Sequence, residues 1–316
     1  MNPGDSAVAF TGVSKSYGDF RAVEGLTFKV APGSIYGFLG PNGAGKTTSL
    51  RMMLGIIKPS EGEISVLGSP SAMGVRERVG YLPEERGLYR RMTPLETIVY
   101  LARLKGMDAA PARKRALELL DRFGLAAFAT SRIEALSKGM AQKVQILATI
   151  AHAPDLVILD EPFSGLDPVN QQVLEELVED LRREGHTVLF STHVMQHAER
   201  LCDRLLLIAR GRLAFEGTLD EARARMPQTI RLKTTAGVAA LGALPGVVKI
   251  AEDGHAAGEF ELTMQQGADG ELLLRTCFER GIQLARFDMS EPALHDIFVA
   301  LVGAGAETAD DRGTAR

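Results

Sequence analysis

The strongest constraint on the fold is one run of residues, Gly40-Pro41-Asn42-Gly43-Ala44-Gly45-Lys46-Thr47. It lies between an apolar segment, Ile35-Tyr36-Gly37-Phe38-Leu39, and a stretch from Lys46 to Ile57 that reads as a helix. The run fits glycine, any four residues, glycine, lysine, then serine or threonine throughout. Its glycines let the backbone curl so that successive N–H groups point inward at an anion, and the helix starting there adds its positive end. Lys46 can reach the anion as a point charge. The Thr47 hydroxyl suits Mg²⁺, which keeps most of its waters and takes few protein oxygens. Strand, glycine loop, helix is the opening of an α/β sheet.

The flanking segments extend that sheet. Ahead of the loop, Leu26, Phe28 and Val30 alternate with Thr27 and Lys29, the pattern of a half-buried antiparallel pair within 7–30. Behind it, apolar strands Leu156 to Leu159, Thr187 to Phe190 and Arg204 to Ile208 alternate with amphipathic helices, which predicts a buried, mostly parallel sheet. Residues from about Tyr89 to Ala135 carry helical spacing and read as an all-helical insertion; a further helix runs from Lys138 to about His152. Asp160 closes the strand Leu156 to Leu159, so its carboxylate stands at the carboxyl end of a central strand, where such sheets bind ligands. It is placed to hold Mg²⁺, and Glu161 beside it to polarise an attacking water.

Composition narrows the classes. The 316 residues allow one large domain and a smaller one, and 45% hydrophobic with 24% charged is ordinary for a core-forming chain. A net charge of −4 gives no support for nucleic-acid binding. Cys202 and Cys277 are the two cysteines, far apart and without metal-ligand spacing, which reads as reduced thiols in a reducing compartment. The amino-terminal MNPGDSAVAF has no charged region followed by an apolar one and so is not a secretion signal. The best membrane-span candidate, Val144 to Leu159, is broken by Gln145, His152, Pro154 and Asp155. The expectation is no direct membrane insertion.

The remaining motifs resemble one family. Leu136-Ser137-Lys138-Gly139-Met140 is similar to the signature of ATP-binding-cassette (ABC) proteins, usually Leu-Ser-Gly-Gly-Gln. Ser164-Gly165-Leu166-Asp167 resembles the family's D-loop, Ser191-Thr192-His193 its switch histidine, and Tyr17 the aromatic that stacks on adenine. These occur in family order over about residues 7 to 220. The resemblance implies an ATPase with ATP held by Gly40, Asn42, Gly43, Ala44, Gly45, Lys46, Thr47 and Thr48. It implies Mg²⁺ at Thr47, Asp160 and Glu84, catalysis by Glu161 and His193, and Ser137 with Gly139 facing the γ-phosphate of a second, head-to-tail subunit, a homodimer. Ser137 starts a predicted helix, so its end attracts negative charge. Two departures stand out: Glu84 follows Tyr81-Leu82-Pro83 where glutamine is usual, and Lys138 and Met140 replace Gly and Gln of the signature.

Tyr81 to Tyr89 and the carboxyl-terminal Glu291-Pro292-Ala293-Leu294-His295-Asp296-Ile297-Phe298 narrow the resemblance to bacterial single-cassette ATPases paired with separate permeases, including sodium and drug exporters. That implies a cytoplasmic protein, peripheral on the inner face of the cell membrane. The domain reading is 1–226 for the ATPase with its helical insertion at about 89–135, 227–303 for an accessory α+β domain, and 304–316 for a disordered tail. Within the accessory domain the order β-α-β-β-α-β suggests a ferredoxin-like fold. Two other classes stand beside transport. A soluble cassette acting on ribosomes or DNA would carry two cassettes or a long coiled coil, and this chain has one glycine loop and no heptad region. A phosphate-loop kinase or GTPase would leave the signature a coincidence, and no Asn-Lys-x-Asp is present.

Overall fold

The computed structural model describes residues 6–85, 87–252, 258–265, 268–289 and 291–310, the last eight by backbone alone. The chain forms two compact units, 1–218 and 219–316. The division falls ahead of the boundary read at 226/227. The short helix Leu219–Arg223, which the sequence reading gave to the first domain, packs on the last helix of the second unit.

The first unit holds two sheets. Strands β1 (Val8–Tyr17), β2 (Phe20–Val30) and β4 (Glu61–Val66) form an antiparallel sheet in the order β2-β1-β4. Strands β3 (Ile35–Leu39), β5 (Val79–Leu82), β6 (Leu156–Asp160), β7 (Thr187–Thr192), β8 (Arg204–Ala209) and β9 (Arg212–Gly217) form the second, ordered β5-β6-β7-β3-β8-β9. It is parallel except for β9. β3, β6 and β7 are buried at every position, as expected of strands covered on both faces. Between the sheets lies one apolar core. Phe10 stacks on Phe28 at 4.5 Å, Phe28 meets Phe38 at 6.0 Å, and Leu50 and Met53 of helix α1 (Lys46–Met53) fill beneath them. Fully burying each such side chain stabilises by about 1.5–3 kcal/mol.

Helix α1 is shorter than the 46–57 read from the sequence. Gly55 at φ 73° turns the chain left-handed, and the Ile56 N–H returns to the Arg51 carbonyl at 2.9 Å, closing the helix end. The insertion contains α2 (Pro94–Leu104) and α3 (Ala109–Arg122), packed on each other and on α4 (Lys138–Ile150). Thr93 and Glu96 form a reciprocal capping box that fixes where α2 starts. Helices α5 (Pro168–Arg183) and α6 (Met195–Leu201) follow β6 and β7.

Register positions the site. β6 and β7 pair in parallel with Asp160 opposite Ser191, and β3 and β7 with Leu39 opposite Thr192. The carboxyl ends of the three strands are therefore level. The glycine loop, Glu161 and His193 leave the same edge of one sheet.

In the second unit, α7 is Leu219–Arg223, followed by β10 (Thr229–Thr234), α8 (Val238–Gly242), β11 (Val247–Glu252), β12 (Glu259–Met264), α9 (Gly270–Glu279), β13 (Leu284–Asp288) and α10 (Leu294–Asp310). The sheet order is β11-β12-β10-β13, antiparallel throughout, the β-α-β-β-α-β arrangement of a ferredoxin-like fold. Its core contains Ile230, Leu232, Leu262 and Leu273. α10 continues to Asp310, into the segment expected to be disordered; Ala304, Ala306 and Ala309 are strong helix formers. Residues 311–316 of that expected tail lie outside the described ones.

Candidate active site

The glycine loop folds as it does because side chains do not fit in it. A Cβ on Gly40 would stand 2.2 Å from the Ile208 carbonyl oxygen. Gly45 has φ 103°, and a Cβ there would meet the Ala22 carbonyl at 2.7 Å. Gly45 also precedes α1 in the capping position without a side-chain cap, and the first turn carries no acid. The first helical bond is Ser49 N–H to Gly45 O at 3.0 Å, so the amides of Lys46, Thr47 and Thr48 have no intrahelical acceptor. Open donors and the helix dipole make this an anion cradle.

Lys46 is buried at 6% exposure, which isolates its charge. Its ammonium donates to the carbonyls of Gly40 at 2.6 Å and Pro41 at 3.3 Å and lies 3.6 Å from Glu161 Oε1. Glu161 stands in the left-handed region at φ 48°, a conformation that costs a non-glycine residue about 1 kcal/mol or more. Its amide donates to both the carbonyl and the hydroxyl of Ser191, each at 3.1 Å, which holds that turn. His193 Nδ1 meets Glu161 Oε2 at 3.0 Å. A carboxylate only accepts, so Nδ1 carries the proton in this contact.

Asp160 is 2% exposed and accepts the Ser191 hydroxyl at 2.5 Å. Burial pushes its carboxyl above the ordinary range; the Ser191 hydrogen bond opposes that, the Glu84 and Glu161 charges add to it, and Lys46 opposes it. Tyr81 is likewise pushed up to about 12 by burial and by Asp160. Mg²⁺ takes hard oxygen donors, and Thr47, Glu84 and Asp160 carry them; among the described residues no three His, Cys, Asp or Glu side chains group closely enough to hold a metal by themselves.

Asn42, Gly43, Ala44, Gly45, Lys46, Thr47, Thr48, Glu84, Glu161 and His193 line one pocket of about 470 Å³. Asp160 lines an adjoining pocket of about 350 Å³ that shares Glu84, Glu161 and Ser164 with the first. Gly40 contributes through its carbonyl on Lys46. Three expected residues stand apart from the lining. Tyr17 ends β1 half-exposed with the Lys15 ammonium 5.2 Å from its ring centre, while Phe20, paired with it across the turn, lines the pocket with Ala22. Sequence reasoning missed Phe20; its signal is an exposed aromatic just past the Gly18-Asp19 turn. Ser137 caps α4, its hydroxyl accepting from the Met140 amide at 3.2 Å. A Cβ on Gly139 would meet Asn170 Nδ2 at 3.0 Å. Neither residue reaches the Lys46 pocket of its own chain. In the second unit, a pocket of about 310 Å³ is lined by charged side chains already paired, Arg231 with Glu261 at 2.9 Å and Glu259 with Lys233 at 3.0 Å.

Comparison with known proteins agrees with this geometry. Residues 23–164 match the family described as ABC transporter, and residues 217–302 match the ATP-binding protein DrrA1-3-like, C-terminal domain. Over 293 residues, 92% of this chain and 97% of the relative, it is 39% identical to the uncharacterized ABC transporter ATP-binding protein YhaQ of Bacillus subtilis. It is 42% identical over 216 residues, 67% of this chain and 71% of the relative, to the Nod factor export ATP-binding protein I of Paraburkholderia xenovorans. The structure of an ATP-binding subunit of an ABC transporter superposes with a TM-score of 0.65 at 34% identity, covering 70% of this chain and 93% of that one. A dimeric ATP-binding cassette, in a post-hydrolysis state bound to ADP and Pi, superposes at 0.62 with 27% identity over 67% of this chain and 98% of its own.

Proposed function

Because this chain belongs to the ABC transporter ATP-binding proteins, and so binds and hydrolyses ATP, we propose that it drives a separate membrane permease as one half of a head-to-tail ATPase dimer. The observation that carries the reading is the meeting of Lys46, Glu161 and His193 at the level ends of β3, β6 and β7. The triphosphate lies along the amides of 46–48, which have no intrahelical acceptor. Lys46 exchanges the Glu161 carboxylate for the β- and γ-phosphates. Thr47, Asp160 and Glu84 would hold Mg²⁺, which when bound would supply charge neutralisation to the phosphates. Glu161 accepts a proton from the attacking water as it approaches the γ-phosphorus. His193 keeps Nδ1–H on Glu161; in its protonated form Nε2–H is a second donor for a γ-phosphate oxygen. Phe20, in the pocket lining, is the aromatic offered to the base of the nucleotide, with Tyr17 paired to it across the turn.

Ser137 and Gly139 are unused within one chain, and a second copy supplies them. The start of α4 then presents its hydroxyl and helix dipole to the neighbour's γ-phosphate, so ATP completes the interface and hydrolysis weakens it. The dimeric ABC neighbour supports this arrangement. Among the described residues no helix is long and apolar enough to cross a membrane, so work at a membrane requires a partner. We place the protein on the cytoplasmic face, its permease contact in the groove between helical insertion and sheet. Tyr89, at the start of the insertion, is exposed and packs edge-on against Tyr100 of α2 at 6.0 Å. Export is the direction, supported by the Nod factor export relatives. The 227–303 segment serves as an accessory support.

The experiment is purification of the tagged Glu161→Gln chain from detergent-solubilised membranes in ATP. A co-purifying integral membrane protein, released by mutation of Tyr89 and Tyr100, supports the reading. Ribosomes or DNA in its place would assign the chain to a soluble cassette ATPase.

A further inference from the structure

Behind Glu161 and His193 lies a buried aromatic stack that the chemistry above does not use. The His197 ring faces the Phe163 ring with centroids 4.0 Å apart and planes 12° from parallel. Phe163 also meets Phe190 of β7 edge-on at 5.7 Å. His197 Nδ1 bonds Glu175 Oε1 of α5 at 2.8 Å, and Arg200 Nη2 reaches the same oxygen at 2.5 Å. His197 is only 4% exposed and Phe163 only 3%. An imidazole this deep is fixed in orientation by its carboxylate partner, and a stacked pair contributes about 0.5–1.5 kcal/mol beyond its buried area.

The placement is what matters. Phe163 lies two residues beyond Glu161 on the loop leaving β6; His197 lies four residues beyond His193, in α6, which starts at Met195. The loop is tightly wound, with Ser164 N–H returning to the Glu161 carbonyl at 3.1 Å, so a shift at Phe163 is felt at Glu161. The carboxylate and the imidazole that touch at 3.0 Å come from two separate loops. Phe163 on His197 is a second tie between those loops, and Glu175 fastens that tie to α5.

We propose that His197 is a positioning residue: through its stack on Phe163 and its bond to Glu175 it fixes the separation of Glu161 and His193. The proposal rests on the assignment of those two residues to the γ-phosphate end of the pocket. A displacement of about 1 Å in such a pair lowers turnover by about a hundredfold in unfavourable cases.

The test compares the purified His197→Ala, His197→Phe, Glu175→Gln and Glu161→Gln chains in Mg-ATP hydrolysis, with thermal unfolding alongside. Expected is a kcat about ten- to a hundredfold lower for His197→Ala at a KM for ATP within about threefold of wild type. His197→Phe, which keeps the stack, regains most of that loss. Glu175→Gln, which leaves both rings but weakens the anchor, falls between. His197→Ala turning over at the wild-type rate while Glu161→Gln is inactive would overturn the positioning role alone. Should His197→Phe unfold normally yet remain as slow as His197→Ala, the stack is not what matters and the proposal fails. Full turnover in Glu161→Gln would remove the site assignment beneath it.

Discussion

Glu161→Gln separates proton acceptance from shape. The amide is the same size as the carboxylate; its oxygen can still receive Lys46, and the left-handed turn at 161 is held by backbone bonds to Ser191 that the substitution leaves in place. What disappears is a base and a charge. Losing the base lowers turnover by about 10²–10⁴, or about 2.7–5.5 kcal/mol of barrier. The charge acts in the opposite sense on binding. At 3.6 Å the Lys46–Glu161 attraction is about 4–5 kcal/mol at an effective dielectric near 20, and desolvation of two buried groups cancels much of it. In the wild type an arriving triphosphate competes for Lys46 with that carboxylate and is repelled by it. In the variant it competes only with a neutral amide oxygen and is not repelled, so ATP binds with unchanged affinity or up to about tenfold tighter, which is about 1.4 kcal/mol. The measurements are phosphate release at saturating Mg-ATP, nucleotide affinity by calorimetry, and gel filtration in ATP, where a long-lived dimer is expected. Turnover within about twofold of wild type, or ATP bound more than about tenfold more weakly, refutes the assignment of Glu161.

Lys46→Ala removes the donor that neutralises both the Gly40 carbonyl and the incoming phosphates, so hydrolysis should fall at least about a hundredfold in a folded protein, read by phosphate release with circular dichroism as control. Gly45→Ala forces a Cβ to 2.7 Å from the Ala22 carbonyl at φ 103°; unfolding in urea should show a loss of about 1–3 kcal/mol together with loss of nucleotide binding. Asp160→Asn removes a buried charge whose carboxyl is already pushed up by burial. It should melt later than wild type, by about 0.5–2 kcal/mol, while losing Mg-dependent turnover. His152 is held down to about 4 by burial and by the Lys105 charge, against 6.5 when unfolded. The unfolded chain therefore binds the extra proton first, and this contribution to stability, complete above pH 6.5, is lost as pH falls toward 4. In melts at pH 7 and pH 5, His152→Gln should show a smaller acid loss than wild type.

Much of the fold was legible in the chain. The apolar runs at 35–39, 156–159 and 187–190 read as buried parallel strands because strands covered on both faces admit almost no polar residue. β4, β5 and β9 went unread. Glu61–Val66 and Arg212–Gly217 are short and half polar, and what makes them strands is pairing with β1 and β8, partners distant in sequence or fixed only by register. The end of α1 at Met53 was set by Gly55 turning left-handed, a choice that helical periodicity does not reveal.

The sequence by itself carried the expected chemistry: a loop of glycines before Lys46 and Thr47 reads as an anion cradle, and Asp160-Glu161 after an apolar run reads as the carboxyl end of a strand, where the structure has Asp160. Local backbone freedom and hydrophobic pattern are encoded residue by residue, so both survive being read in one dimension. Tertiary structure alone decided which groups meet. The parallel register of β6 on β7 brings His193 to 3.0 Å from Glu161, packing sets His197 against Phe163, and the β1–β2 turn brings Phe20 to the pocket with Tyr17 behind it. Those contacts join residues far apart in sequence, and their distances follow from how two sheets share one core, which no local signal carries.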